Sequence, residues 1–294
     1  MTEQLATAPT AGSTLPVPAA ARWHGPATIA LQLAGVLLFV LLLPFAFRME
    51  WRNFVPIFEP STLQFLAYGV AATVIVSLVS ILLSLPMATG LALGRLSKAR
   101  YVSWPCIAFI EVIRALPLIL LIFYINLRFP GLDMFKGVKV GDGNDYLGIE
   151  IARILERPAL AMVVALTLYT AAVNAELLRS GILSLERGQT EAARSLGLTY
   201  WQTMRLVILP QAFRRTLAPL IAQFTILVKD TSLGSIIGFV ELQKRGVIIY
   251  QQNFNSMETL YVIALIYFVI NYLLGLTSRF IERKRPSVEV RVEM

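Results

Sequence analysis

The chain has 294 residues, 56% of them hydrophobic and only 15% charged, with a mean hydropathy of +0.68. This is too apolar for a soluble domain and predicts a membrane protein with several spans. A single Cys106 and a single His24 exclude an internal disulfide, a Cys/His metal cluster and a histidine proton relay, and the net charge of +8 has no stacking platform or groove-reading helix beside it to suggest nucleic acid.

Residues 1–27 are rich in Ala, Thr and Pro and carry little that packs, so a disordered tail is expected there. A bilayer core needs about 20 mostly apolar residues per helix. Six stretches meet or approach this: 28–47, 65–94, 104–127, 159–182, 216–240 and 258–279. The first has no basic leader and no A-x-A site, which favours an uncleaved helix over a signal peptide. The expected fold is therefore an all-α polytopic transmembrane helix bundle with six spans.

Orientation follows from Lys and Arg. With both termini in the cytoplasm, fifteen basic residues fall inside and nine outside, the latter offset by nine acids; Arg114 and Lys229 lie within spans. The positive-inside rule thus places both termini in the cytoplasm and accounts for the basic pI. In span two, Thr73, Ser77, Ser80 and Ser84 form a small-residue stripe that reads as close helix packing.

Ionisable residues at bilayer depth are costly unless paired or wetted, so each is a site candidate. In span three, Glu111 and Arg114 stand at i, i+3, near enough to pair, and Pro117 weakens the helix just beyond them. A structural ion pair and a substrate role both remain open. Span four carries Thr167, Thr170 and Asn174 on one face, either lining a path or bonding between helices. Glu176 and Arg179, also at i, i+3, are read as an interfacial pair.

The cytoplasmic segment 183–215 contains EAARSLGLTYWQTMRLVILP, residues 191–210. Good helix formers fill Glu191 to Leu196, Gly197 leaves the helix at little steric cost, and Thr199 with Gln202 has capping-box spacing. Pro210 is expected to stop the second short helix. So short a helix is marginal in water and calls for a partner surface. A membrane-surface helix and a merely helical loop are the alternatives.

In span five, Lys229 and Asp230 fall near the bilayer middle, pointing about 100° apart, and Thr231, Ser232 and Gly234 follow at once. Small hydroxyl residues and glycine let a helix unwind where it lines a cavity, as midplane transporter sites do. The charges complement an amino-acid zwitterion: Lys229 or Arg114 for the carboxylate, Asp230 or Glu111 for the ammonium. Structural pairing of Lys229 with Asp230 is the competing reading.

The 191–210 stretch resembles the EAA loop of binding-protein-dependent ABC transporter permeases. Glu191, Ala192, Ala193, Gly197, Leu209 and Pro210 match at the family spacing, with Val207 in the Ile position. Three further stretches, AFIEVIRALPLILLIFYI (108–125), LYTAAVNAELLRSGILSLERGQTEAARSLGL (168–198) and ILVKDTSLGSIIGFVEL (226–242), resemble the polar amino acid branch, which covers histidine, glutamate, glutamine, arginine and opines. The resemblance runs from about residue 62 to 283.

It implies a type I importer permease core of five spans in residues 61–283, with an additional N-terminal helix and outer loop at 28–60, coupling loop 183–215 and a cytoplasmic tail at 284–294. It implies an inner-membrane protein of bacteria whose Gly-centred helix pair docks into an ATP-binding subunit. Glu191 and Gly197 would set the geometry; Tyr200, Trp201, Met204 and Arg205 would make contact. Partners would be two copies of the ATPase, a second permease, identical or paralogous, and an extracytoplasmic substrate-binding protein. ATP and Mg²⁺ would sit on the partner ATPase, since no G-x-x-x-x-G-K-[ST] loop occurs here, and no cofactor or metal is expected on this chain.

Two other classes compete. Intramembrane carboxylates alone permit an ion-gradient-driven transporter, but that leaves the cytoplasmic loop without purpose. An intramembrane enzyme finds no H-E-x-x-H site, no G-x-S-x-G elbow and no histidine in the segment of Cys106, so no catalytic residues are expected.

Overall fold

The computed structural model describes residues 44–128 and 157–283, together with residues 35, 38, 40 and 42. Most of the expected first span, the 1–27 tail, the 129–156 part of the outer loop and the 284–294 tail lie outside the described residues. The chain divides into two units between Glu50 and Trp51. In the first, residues 44–46 are helical.

The second unit opens with a 3₁₀ turn, Trp51–Phe58, followed by helices α1 (Pro60–Arg95), α2 (Arg100–Ala115), α3 (Leu118–Arg128), α4 (Arg157–Leu183), α5 (Arg187–Ser195), α6 (Tyr200–Thr203), α7 (Leu209–Asp230), α8 (Leu242–Asn253) and α9 (Ser256–Arg283). Among the described residues, four helices are long and apolar enough to cross a membrane, or up to five if α2 and α3 count as one bent span.

The bundle is organised around α4, which packs on α1, α2, α3 and α7. Its contact with α1 is close because both faces are small. Ser77, Ser80 and Ser84 of α1 and Ala161, Ala165, Ala172 and Ala175 of α4 are all fully buried, whereas Thr73, also buried, bonds to Glu241 and Leu242. Without a hydrophobic drive inside lipid, close backbone approach and interhelical hydrogen bonds hold such pairs. Ser80 Oγ donates to the Val163 carbonyl at 3.5 Å and Asn174 Nδ2 to Ser84 Oγ at 3.4 Å. Larger side chains fill the spaces on either side, with Val76, Ile122, Met162, Leu166 and Leu227 in one cluster and Ile110, Leu178 and Leu220 in another.

The span expected at 104–127, weakened at Pro117, is two helices bent by 105°. Proline drives its predecessor out of the helical region, and Leu116 is extended at φ −79°, ψ 134°, so α2 ends at Ala115. The chain restarts on the Pro117 carbonyl, which accepts from Leu120 and Leu121.

Proline acts differently at 210. There the helix continues: α6 passes through a π turn, Met204–Ile208, directly into α7. Leu209 N–H bonds to the Met204 carbonyl, five residues back, and this wider turn relieves the clash that Pro210 would otherwise make with the preceding turn. Pro210 therefore opens α7 rather than stopping the short helix.

Helix α8 wedges between α1 and α9. Gly69 permits this: a Cβ built there would stand 2.8 Å from both Leu242 Cα and Arg245 Cδ. Gly69→Ala is expected to displace α8 and destabilise the fold by about 1–3 kcal/mol. Thermal melting of the purified chain in detergent checks this.

Candidate functional site

From Arg187 to Gln202 the 183–215 segment forms as its sequence prescribes. Helix α5 ends in a Schellman closure: Leu198 N–H bonds to the Ala193 carbonyl at 3.2 Å and Gly197 N–H to that of Arg194 at 2.9 Å. The closure requires a left-handed residue, and Gly197 has φ +79° with no atom within 4 Å of where a Cβ would stand. The demand is thus on backbone conformation, not on space within the chain. Thr199 then caps α6 reciprocally with Gln202, its Oγ1 accepting from Gln202 N–H at 3.4 Å while its own N–H donates to Gln202 Oε1 at 2.9 Å. Thr199→Ala is expected to cost about 1 kcal/mol. Melting against the parent chain would show it.

What the segment presents outward differs in part from expectation. Glu191, Ala192, Tyr200, Trp201 and Arg205 are exposed, and Tyr200 and Trp201 meet edge to face at 5.5 Å. Ala193 is buried at the closure and Leu209 is half-buried. Met204, expected among the contacts, is buried beside Thr203 and Ile208, and the three line one cavity. Leu196, 83% exposed, and Leu206, 63% exposed, are left uncovered along with Leu183 and Trp201. The segment is tied to the bundle by Arg215, which donates to the carbonyl of Ser184, and by Gln211, which donates to Gln189 at 3.3 Å.

Beside it lies an ion network. Glu111 pairs with Arg95 at 3.0 Å rather than with Arg114, which is exposed and forms no salt bridge among the described residues. Arg95 also reaches Glu176 at 2.7 Å, and Glu176 holds Arg179 at 3.1 Å. The C-terminal ends of α1, α2 and α4 are joined by these contacts. Intrahelical spacing gave the Glu176–Arg179 pair; the Glu111 partner depends on how α1 crosses α2.

Within the bundle, Thr170 and Asn174 are fully buried, and Asn174 bonds to Ser84 of α1, the interhelical arrangement that stood beside a path as an alternative. Thr170 Oγ1 and Asn174 Oδ1 have no hydrogen-bond partner among the described residues. Lys229 is exposed and Asp230 half-buried at the end of α7, where the helix tightens into a 3₁₀ segment over Thr231–Ile237. This is the change of winding that the Thr231, Ser232 and Gly234 run anticipates. Thr231 is buried, its hydroxyl donating to the Val228 carbonyl at 2.8 Å. Ser232 and Lys229 line a cavity.

Two charged residues escaped the sequence reading. Glu241 and Arg245, counted there among outer-loop charges, are both essentially inaccessible. Glu241 caps α8, accepting from Gln243 N–H and Lys244 N–H at 2.8 Å each, and also receives Tyr267 Oη at 2.8 Å and Thr73 Oγ1 at 3.5 Å. Arg245 donates to the Phe65 carbonyl at 3.0 Å and lies 4.5 Å over the Phe65 ring. The only local signal was a Glu one residue ahead of a helix.

A polytopic helical bundle with a capped, Gly-closed helix pair on its flank is the architecture of a membrane transport protein. The chain belongs to the family described as binding-protein-dependent transport system inner membrane component, which matches residues 80–285. It is 34% identical over 223 residues to the glutamate transport system permease protein GluD of Corynebacterium glutamicum, covering 76% of each chain. It is 36% identical over 235 residues to the probable glutamine ABC transporter permease protein GlnP of Bacillus subtilis, covering 78% of this chain and 98% of the relative. Among solved structures, an amino acid ABC transporter with histidines superposes with a TM-score of 0.62 at 28% identity, covering 76% of this chain and 96% of that one.

Proposed function

We propose that this chain forms the membrane path of an ATP-driven importer of polar amino acids in the bacterial inner membrane, with both termini cytoplasmic. A separate ATP-binding subunit, present in two copies and carrying ATP and Mg²⁺, docks on the 183–215 loop. A second permease, identical or paralogous, completes the path, and an extracytoplasmic binding protein delivers the ligand. The observation that carries this reading is the Gly197 closure and Thr199 capping box, beside which Leu196, Tyr200, Trp201 and Leu206 stand exposed among the described residues.

An ion-gradient mechanism gives that helix pair nothing to do. The names of the relatives, glutamate and glutamine permeases among them, support the substrate class. The test is reconstitution with the cognate ATP-binding subunit and binding protein, followed by ATPase assays across a panel of amino acids, sugars and metal ions. Stimulation by polar amino acids is expected. Stimulation by sugars or metals but by no amino acid would overturn the substrate class.

A further inference from the structure

A cavity of about 290 Å³ lies where the end of α4, the first turn of α5, α6 and the π turn come together. Ile182, Leu183, Leu185, Met204 and Ile208 form its apolar wall, and Arg187, Thr190, Tyr200 and Thr203 its polar side. None of these four polar side chains makes a hydrogen bond or ion pair among the described residues. Thr203 carries the most weight, because its residue is only 2% exposed and a buried hydroxyl without a partner lowers stability. A ligand in the cavity would supply the missing bond.

The polar side is rich in donors. The Arg187 guanidinium brings five N–H groups and a fixed charge, and three hydroxyls stand in the same lining. Helix α5 adds to the positive field, since Glu186 at its N-cap makes no side-chain cap and its first turn holds no acid. Glu186 and Glu191 are the carboxylates nearest in sequence; both are exposed, neither lines the cavity, and neither pairs with Arg187 among the described residues. Over residues 183–215, five arginines stand against these two acids. The complementary ligand is an anion. A phosphate, with several oxygens for a guanidinium and hydroxyls at once, matches the donor set.

The apolar wall selects among phosphates. Leu183 is the last residue of one candidate membrane span and Tyr200 the first of another, so the cavity stands at one end of both. A free phosphate gains nothing from the apolar wall, whereas a phospholipid brings a charged head and an acyl chain together. Leu183, in the wall and 59% exposed, is open to that chain. Resting on the import reading, which puts the 183–215 segment at the cytoplasmic leaflet, we propose that this cavity holds the head group of an anionic phospholipid. The phosphate takes Arg187 and the hydroxyls of Thr190 and Thr203, and the chain lies on Ile182 and Leu183. Basic sites at the cytoplasmic border of a membrane recognise anionic lipids by the same chemistry. The lipid ties the end of α4 to α5 and the π turn, at the root of the loop on which the ATP-binding subunit docks.

The test uses the complex of this chain with its ATP-binding subunit in phosphatidylcholine nanodiscs, doped with a phosphatidylglycerol that carries a photoreactive group beside its phosphate. Labelled peptides are mapped by mass spectrometry. Labelling within residues 182–208 is expected, with unlabelled phosphatidylglycerol competing about tenfold better than phosphatidylcholine, a gap of about 1.4 kcal/mol. Arg187→Gln is expected to lower that labelling by about tenfold. Arg194→Gln, an equal loss of charge on the same helix but outside the cavity lining, is expected to leave it unchanged. Thr203→Val is expected to lower labelling by about threefold while the thermal midpoint stays level or rises, because the partnerless hydroxyl is gone. A misfolded variant does not combine those two results. No labelling within 182–208, equal competition by phosphatidylcholine, displacement by excess inorganic phosphate, or equal loss in Arg187→Gln and Arg194→Gln overturns the proposal. Labelling that appears only when the ATP-binding subunit is removed also overturns it, by giving the cavity to that partner. The import reading is judged separately, by ATPase stimulation with the binding protein present. If amino acids stimulate and labelling fails, only the lipid site falls; if labelling holds and no amino acid stimulates, only the import reading falls.

Discussion

Gly197→Val is expected to cut substrate-stimulated ATPase activity of the reconstituted complex by about tenfold or more while the chain still inserts and assembles with its partners. A β-branched residue forced to φ +79° costs at least the 1–2 kcal/mol of an ordinary left-handed residue, and about 1.4 kcal/mol is already a factor of ten. The strain is relieved by opening the Schellman closure, which frees the end of α5 and changes the angle at which Thr199 starts α6. Because a Cβ at 197 meets nothing within 4 Å, the loss comes from the turn and not from a clash inside the chain. Asn accepts left-handed geometry far better than Val, so Gly197→Asn is expected to retain most of the coupling. Equal loss in both variants would move the requirement from the turn to the close approach of the ATP-binding subunit.

Glu241→Ala is expected to produce the largest loss of stability, about 3–5 kcal/mol. The substitution removes one acceptor group from two α8 backbone N–H groups, the Tyr267 hydroxyl and the Thr73 hydroxyl, all in a site from which solvent is excluded. Unmet donors there are costly because the low-dielectric surroundings offer no replacement. The thermal midpoint of the purified chain is expected to fall by roughly 10 °C. Glu241→Gln keeps one carbonyl acceptor but points an amide at neighbouring donors, so an intermediate loss is expected. A midpoint unchanged in both variants would show that α8 is held by the Gly69 contact and the Arg245 stacking instead.

The coupling segment was legible in the sequence because it is built from local rules. A left-handed glycine, a capping box three residues wide and a run of helix formers each act over a few residues, and each appears where its spacing places it. The Glu176–Arg179 pair belongs to the same class. Other features depend on partners far along the chain. Glu111 had a plausible mate three residues away in Arg114, but α1 brings Arg95 to it instead. Asn174 read as path or as glue in the sequence, and its bond to Ser84 depends on how α1 meets α4.

The two prolines show the same limit on a smaller scale. Both weaken the helical ladder, yet Pro117 is followed by a 105° change of direction and Pro210 by none. The π turn at Met204–Ile208 makes the difference. Glu241 and Arg245 were the least legible. As charges just past an apolar span they look like loop residues, and only Gly69, which lets α8 into the gap between α1 and α9, explains why they are buried.

The central claim is that ATP hydrolysis on a partner moves this bundle through the 183–215 loop. Proteoliposomes containing the chain, its ATP-binding subunit and its binding protein test it most directly, with amino-acid uptake measured with and without internal ATP while ionophores hold ion gradients at zero. Uptake that needs ATP and the ATP-binding subunit and persists without gradients is the predicted result. Concentrative uptake by the chain alone, driven by an ion gradient and lost with the ionophore, would contradict it.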